Sequence, residues 1–185
     1  MKLRHASVTL AAAVLAAVAT PLIADAKLAG ASGMESHFTA VGPAGMKIVG
    51  TTKDGRVEDD GTAMRVTVPL ANLTTGISLR DKHMREKYLQ VASYPDAQLE
   101  VARAAIVVPR PGAESSGDVP GVLRLHGQNK SVTVHYSAKR DGDTLHVNGA
   151  LHVNMNDFGI EVPKYLGITV KPEVDVDVRF DTVDH

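Results

Sequence analysis

Arg80, Asp81 and His83 stand within four residues of one another, and a carboxylate beside an imidazole is the pairing that orients a general base and raises its pKa. One reading is therefore a hydrolase or metal-dependent enzyme in which Asp81 and His83 act with a second histidine. A second reading is structural: Ser78 caps a helix and Asp81 sits in its first turn, where backbone N–H groups are otherwise unpaired. A third makes the trio a polar rim that hydrogen-bonds the head of a ligand. His126, His135, His146 and His152 fall on polar strand faces, where two from neighbouring strands would suit Zn²⁺ or Cu²⁺. Without a thiolate or a His-x-x-x-His helix they read better as solvated outer-face side chains, as do Asp175 and Asp177. There is no cysteine at all, which removes disulfides, thiolate metal sites and a cysteine nucleophile. No Gly-x-Ser-x-Gly, phosphate-binding loop or dinucleotide fingerprint occurs. The expectation is no catalytic residue, no metal and no cofactor.

The trio belongs to the one stretch that stops reading as strand. From Ser78 to Leu89, Met84 and Tyr88 share a helical face with Leu89 beside them, while Arg80, Arg85 and Lys87 lie elsewhere. Tyr94-Pro95 forbids continuation. On either side the pattern is period two. Glu35–Val41 and Met46–Thr52 pair across the Gly42-Pro43-Ala44-Gly45 turn, and Asp54-Gly55 and Asp60-Gly61 close further short loops. Val66, Val68 and Leu70 alternate with polar positions. Ala97 to Val108 reads as one strand ended by Pro109 and Pro111, and Gly112 to Pro120 as a loop. Val122–His126 and Ser131–Ser137 flank a four-residue turn. From Leu145 to Asn156, Leu145, Val147, Gly149, Leu151, Val153 and Met155 share one face, and a bend is expected near Asn156-Asp157. The last strand sets Val174, Val176, Val178 and Phe180 against polar neighbours. About eight strands with hairpin turns suggest a barrel or a sandwich, which periodicity cannot separate. An outer-membrane barrel is disfavoured, because the chain has no Trp, three Phe and four Tyr to build aromatic girdles.

At 185 residues with 44% hydrophobic composition, one domain suffices. A short basic start, the apolar Val8–Ile23 run and Ala24-Asp25-Ala26 make residues 1–26 a cleavable signal peptide, with 27–33 a small-residue linker and 34–185 the β domain. The apolar run is shorter than the roughly 20 residues a spanning helix needs, so no permanent membrane anchor is expected. Export to the periplasm or secretion follows. Losing Lys2, Arg4 and Asp25 takes the 20 basic and 21 acidic residues to 18 and 20, a balance that argues against nucleic acid as partner. A homodimer stays open.

Four segments, taken together, resemble the YceI-like family of exported lipid-binding proteins. They are Thr75-Gly76-Ile77-Ser78-Leu79-Arg80-Asp81-Lys82-His83-Met84 with Tyr94-Pro95 after it; the stretch from Gly121 to Val132 carrying Leu123-Arg124-Leu125-His126-Gly127-Gln128-Asn129-Lys130; Asp157-Phe158-Gly159-Ile160; and the closing alternating strand. The family's opening Trp is absent, Ser36-His37-Phe38-Thr39 being the nearest remnant of its first segment. The resemblance implies a mainly β fold, an eight-stranded antiparallel lipocalin-like barrel with one or two short helical elements near its mouth. It also implies an apolar lumen for an isoprenoid or other long-chain amphiphile, a hydrophobic small-molecule ligand carried without catalysis. The lumen and lid candidates are Ile77, Met84, Tyr88, Leu89, Leu123, Leu125, Val134, Tyr136, Leu151, Val153, Phe158 and Tyr165, and the polar rim is Arg80, Asp81 and His83. Transfer of about ten methylenes from water gives roughly 8 kcal/mol gross, enough to hold a lipid without a charged anchor. The rivals are the hydrolase and a ligand-free structural or interaction domain with a solid core.

Overall fold

A computed structural model describes residues 28–165 and 168–184; the expected signal segment lies outside them. The chain forms β1 (Leu28–Val41), β2 (Lys47–Thr52), β3 (Arg56–Asp59), β4 (Ala63–Pro69), the helix α1 (Ser78–His83), β5 (Asp96–Ala102), β6 (Glu114–Leu125), β7 (Gln128–Asp141), β8 (Thr144–Asn154), the two-residue pair β9 (Lys164–Tyr165) and β10 (Ile168–Thr169), and β11 (Glu173–Asp184). Nine strands make one sheet in the order β2-β1-β11-β8-β7-β6-β5-β4-β3, every neighbouring pair antiparallel. Alternation decides the inner face: Val147, Gly149 and Leu151 of β8 lie in register with Phe180, Val178 and Val176 of β11. That row continues into β7 through Ala138, Tyr136 and Val134.

The expected eight-stranded closed barrel is corrected to a nine-stranded curled sheet with an open seam. The additional strand is β3, four residues between the Asp54-Gly55 and Asp60-Gly61 turns, too short for alternation to reveal it. At the seam Met34 of β1 packs with Val57 of β3, Val66 and Phe180, but among the described residues no backbone ladder joins β3 to β1 or β2. A backbone bridge and a carboxylate span the gap: Thr51 of β2 and Thr74, beyond β4, exchange backbone hydrogen bonds at 2.8 and 3.0 Å. Asp59 accepts the Leu28 N–H at 3.2 Å, the Gly61 N–H at 2.9 Å and Arg103 Nε at 3.0 Å. Residues 29–33, expected as a linker, instead run as the first part of β1, with Leu28 paired to Asp184 and Ser32 to Asp181.

Two further stretches differ from expectation. Arg103–Val108 leaves the sheet: a tight turn at Arg103–Ala105 ends β5, and residues 103–113 run as an irregular strap to β6. In compensation, Glu114–Pro120 is strand, paired with β7 from Glu114↔Lys139 to Pro120↔Thr133. β6 pairs with β5 only over Gly121–Arg124, so Pro120 sits where the strand has a ladder on one side, the kind of edge position a proline accepts. The β6–β7 turn is tighter than the expected four residues. His126 and Gly127 carry φ of 49° and 74°, the doubly left-handed pair of a type I′ hairpin. A Cβ on Gly127 would also stand 2.8 Å from Tyr94 Cε1, so glycine is required there twice over. The bend expected near Asn156-Asp157 is present as a helical turn over Met155–Phe158, closed by Gly159 at φ 66°.

The helix spans Ser78–His83 and passes into a wider π-type turn, Met84–Tyr88. Ser78 is its first residue rather than its cap: Ile77 occupies the flanking position and no side chain caps the N-terminus. The barrel thus has two unlike ends. At one lie α1, the β6–β7 turn and the Met155–Phe158 turn; at the other lie the strap, the β7–β8 turn and the start of β1.

Candidate functional site

Between those ends the inner face encloses a cavity of about 110 Å³. Its walls come from Val66 and Val68 of β4, Leu99 and Val101 of β5, Val119 and Leu123 of β6, Val134 and Tyr136 of β7, Leu151 of β8, and Val176, Val178 and Phe180 of β11. Ile106, Val107, Val108 and Pro109 of the strap complete them. Each of the strand residues is inward because strand parity puts it there, and β-branched side chains suit that pleated surface. Among the described residues, no Lys, Arg, His, Asp or Glu lines the cavity.

The helix end is plugged. Phe158, 1% exposed, and Ile160, 4%, form a cluster with Leu123 and Val153, and Tyr88, Leu89, Leu125 and Met155 pack against it. His126 adds a lock: its Nδ1 lies 3.0 Å from the Phe158 carbonyl oxygen and its ring stacks at a tilt against Tyr94, centroids 4.5 Å apart. The strap end is held by hydrogen bonds rather than by a packed cluster: the Arg103 N–H donates to the Thr62 carbonyl at 2.8 Å, the Gly112 N–H to the Arg140 carbonyl at 3.1 Å and the Arg140 N–H to the Ala113 carbonyl at 3.1 Å. The Val107 N–H donates to Tyr136 Oη at 3.0 Å, Ser115 Oγ donates to the Val107 carbonyl at 2.6 Å, and Arg103 joins Asp59.

Of the sequence candidates, Leu123, Val134, Tyr136 and Leu151 line the cavity. Leu125, Val153, Phe158, Tyr88 and Leu89 instead build the plug beneath it. Met84 is half-buried and outside both groups, and Ile77 is 53% exposed, so the helix does not roof the cavity as expected. The reason is topological: α1 connects β4 to β5 at the end where Phe158 already fills the opening. Tyr165 pairs through its backbone with Ile168, and its side chain lies outside the described ones. The residues missed by sequence reasoning are those of the strap.

Arg80, Asp81 and His83 are not a rim of this cavity; Arg80 and Asp81 meet on Thr75, and His83 does not join them. Asp81 is buried and turns back on the preceding loop, accepting from Thr74 Oγ1 at 2.6 Å, the Thr75 N–H at 2.7 Å and the Thr75 hydroxyl. Arg80 reaches Thr75 through Nε at 2.7 Å and the Thr75 carbonyl at 3.0 Å, and Arg85 reaches the Leu73 carbonyl at 3.0 Å. His83 is exposed. Burial alone would raise the Asp81 pKa, but the hydrogen bonds from Thr74 and Thr75 and the Arg85 charge outweigh it and hold the carboxyl below its ordinary value. The native pKa being the lower one, Asp81 contributes its full stability above the unfolded-state value of about 3.9 and loses it as pH falls through the native value. Asp81→Asn should cost about 1–3 kcal/mol at neutral pH and flatten the stability loss as pH falls below the unfolded-state value, read by urea unfolding from neutral to acid pH.

The outer-face histidines pair with aspartates across the ladders. His135 Nδ1 lies 2.8 Å from Asp118, His146 Nδ1 2.7 Å from Asp181 and His152 Nδ1 2.8 Å from Asp175. Among the described residues no three metal-ligating side chains gather.

A family model for the YceI-like domain matches residues 25–182, nearly all of the β sheet described above. The chain belongs to the YceI-like family. A UPF0312 protein of Pseudomonas savastanoi pv. phaseolicola is 30% identical over 141 residues, covering 72% of this chain and 69% of that protein. Among solved structures, a polyisoprenoid binding domain from Saccharophagus degradans, implicated in plant cell wall breakdown, superposes with a TM-score of 0.72 at 17% identity. The match covers 85% of the YceI-like chain and 99% of that domain. Burkholderia cenocepacia BcnA gives a TM-score of 0.60 at 21% identity, covering 79% and 95%. These likenesses carry the fold. No helix among the described residues is long and apolar enough to cross a membrane.

Proposed function

We propose that this YceI-like protein binds a long-chain amphiphile, an isoprenoid in the first instance, in the cavity between the plug and the strap, and carries it outside the cytoplasm. The observation that carries the reading is a continuous apolar cavity with a solid plug at one end and an irregular strap, held by hydrogen bonds and outside the sheet, at the other. Apolar surface moved out of water onto such walls gains about 25 cal/mol per Å². The polyisoprenoid-binding description of the Saccharophagus degradans domain supports the choice of ligand class. At about 110 Å³ the cavity is smaller than the roughly 300–1,000 Å³ of sites for drug-sized ligands, so a long chain enters only if the strap over Ile106–Pro109 moves outward.

Loading and release under this reading occur at the strap, and α1 with its neighbours keeps the tail end closed. The hydrolase reading needs Asp81 and His83 around an open pocket, a placement the geometry does not provide. The partners are the amphiphile and, as an open arrangement, a second copy of the chain. Neither nucleic acid nor a permanent membrane anchor is required. The test is purification of the processed chain from a lipid-rich host, followed by native mass spectrometry and lipid analysis of an organic extract. One amphiphile per chain is expected; a folded protein that neither retains one nor takes up added isoprenoid would overturn the reading. N-terminal sequencing of extracytoplasmic protein should start at Lys27 if export and cleavage are as proposed.

A further inference from the structure

Resting on the cavity reading above, we infer that the Tyr136 hydroxyl anchors the head group of the ligand. It donates its proton to an uncharged acceptor, a carbonyl or ether oxygen, on an amphiphile whose tail runs toward Leu123 and Leu151. Tyr136 is 7% exposed and lines the cavity beneath the strap. Its oxygen accepts the Val107 N–H at 3.0 Å, and among the described residues its own proton goes to no acceptor. The Val107 carbonyl is already taken by Ser115 Oγ at 2.6 Å. Asn148, the other polar residue at the wall, is exposed on the opposite face of β8.

The two strands beside Tyr136 make room for this role. Its register partners are Gly117 on β6 and Gly149 on β8. A Cβ on Gly117 would lie 3.4 Å from Tyr136 Cε1 and 4.0 Å from its Oη, so the ring leans over β6. A Cβ on Gly149 would meet only Val134 Cγ1, at 3.9 Å, so the β8 side of the ring faces open space. A hydroxyl with a free proton beside open volume, at the end where the strap moves, is a recognition group for an incoming polar head.

The choice of an uncharged head follows from the walls. With no charged side chain lining the cavity among the described residues, a phosphate or carboxylate drawn inside would be desolvated without a counter-ion, a large penalty. A neutral carbonyl gives up less hydration and regains a hydrogen bond from Tyr136. Its tail then lies along Leu99, Leu123 and Leu151, which pack against the plug.

The inference is tested with three probes on the full processed chain: farnesylacetone, a hydrocarbon of matched length, and geranylgeranyl diphosphate. Calorimetric titration should show the ketone favoured over the hydrocarbon by about 2- to 10-fold, the worth of one hydrogen bond. Tyr136→Phe should abolish that preference while leaving hydrocarbon binding within about 2-fold, which also certifies its fold. Loss of the strap tie alone would weaken both ligands equally and leave the preference intact, and that result overturns the inference. So does diphosphate binding as tight as the ketone's and indifferent to Tyr136→Phe, which would place the head outside the strap. In the unaltered protein, carbon NMR of tyrosine labelled at Cζ should shift one resonance with the ketone and not with the hydrocarbon. If no probe binds, the amphiphile reading itself falls; if the hydrocarbon alone sets affinity, only the head-group inference does.

Discussion

Gly149→Leu should fold and fail to retain the amphiphile proposed for the cavity. The glycine faces the cavity in the middle of β8, between Tyr136 and Val178 in the neighbouring strands, and its φ is not in the left-handed region. An added Cβ meets nothing closer than Val134 Cγ1 at 3.9 Å, so the first carbon enters without strain and the rest of a leucine side chain extends into the space a ligand would use. Displacing three or four ligand methylenes forfeits about 2–3 kcal/mol, which is roughly 30- to 150-fold in affinity. Lipid occupancy by native mass spectrometry is the measurement, with urea unfolding as the fold control. Undiminished occupancy in a folded Gly149→Leu protein would mean that the ligand lies elsewhere.

The second large effect is on the seam. Asp59→Ala should cost about 3–5 kcal/mol, because Arg103 would keep a buried charge without this partner and two backbone N–H groups would lose their acceptor. The Asp59 side chain is fully buried and that of Arg103 is 12% exposed, whereas Lys87 and Glu161 make a 3.3 Å pair with more than half of each side chain in solvent. Lys87→Ala is thus the internal control, expected to change stability by less than about 1 kcal/mol. Because Arg103 also begins the strap, Asp59→Ala should speed ligand exchange measured by displacement of a fluorescent fatty probe. Equal urea midpoints for the two variants would deny Asp59 its role at the seam.

The strands were legible wherever one face is dry and the other wet, as in β8 and β11, because a period of two leaves no other assignment for the apolar residues. The strap was not, although a signal was present. Ala97, Leu99 and Val101 put the next inward position at Arg103, and a charge on the dry face marks the place where β5 must leave the sheet. Glu114–Val119 read as a loop because Ser115, Ser116 and Gly117 look like linker, whereas Gly117 is where the Tyr136 ring lies across the neighbouring strand. The helix was found, but its relation to the cavity was not. Periodicity gives a helix its apolar face without saying which end of a barrel that face will close, and here the answer depends on Phe158, distant in sequence. The three readings of the polar trio could not be separated for a related reason: adjacency in sequence puts Asp81 near His83, while the fold gives Asp81 two threonine hydroxyls and a backbone N–H, as the structural reading has it.

In a hoop of strands, number and stagger together dictate the girth, and no change of girth is available without breaking a rung. The YceI-like sheet is a split ring. Its margins, β2 with the first part of β1 on one side and β3 on the other, meet through Met34 and Val57, the Asp59 carboxylate and the single Thr51–Thr74 backbone bridge rather than through a continuous ladder. A change of circumference along that line would break one bridge and the Asp59 contacts while every ladder of the nine-stranded sheet stays whole.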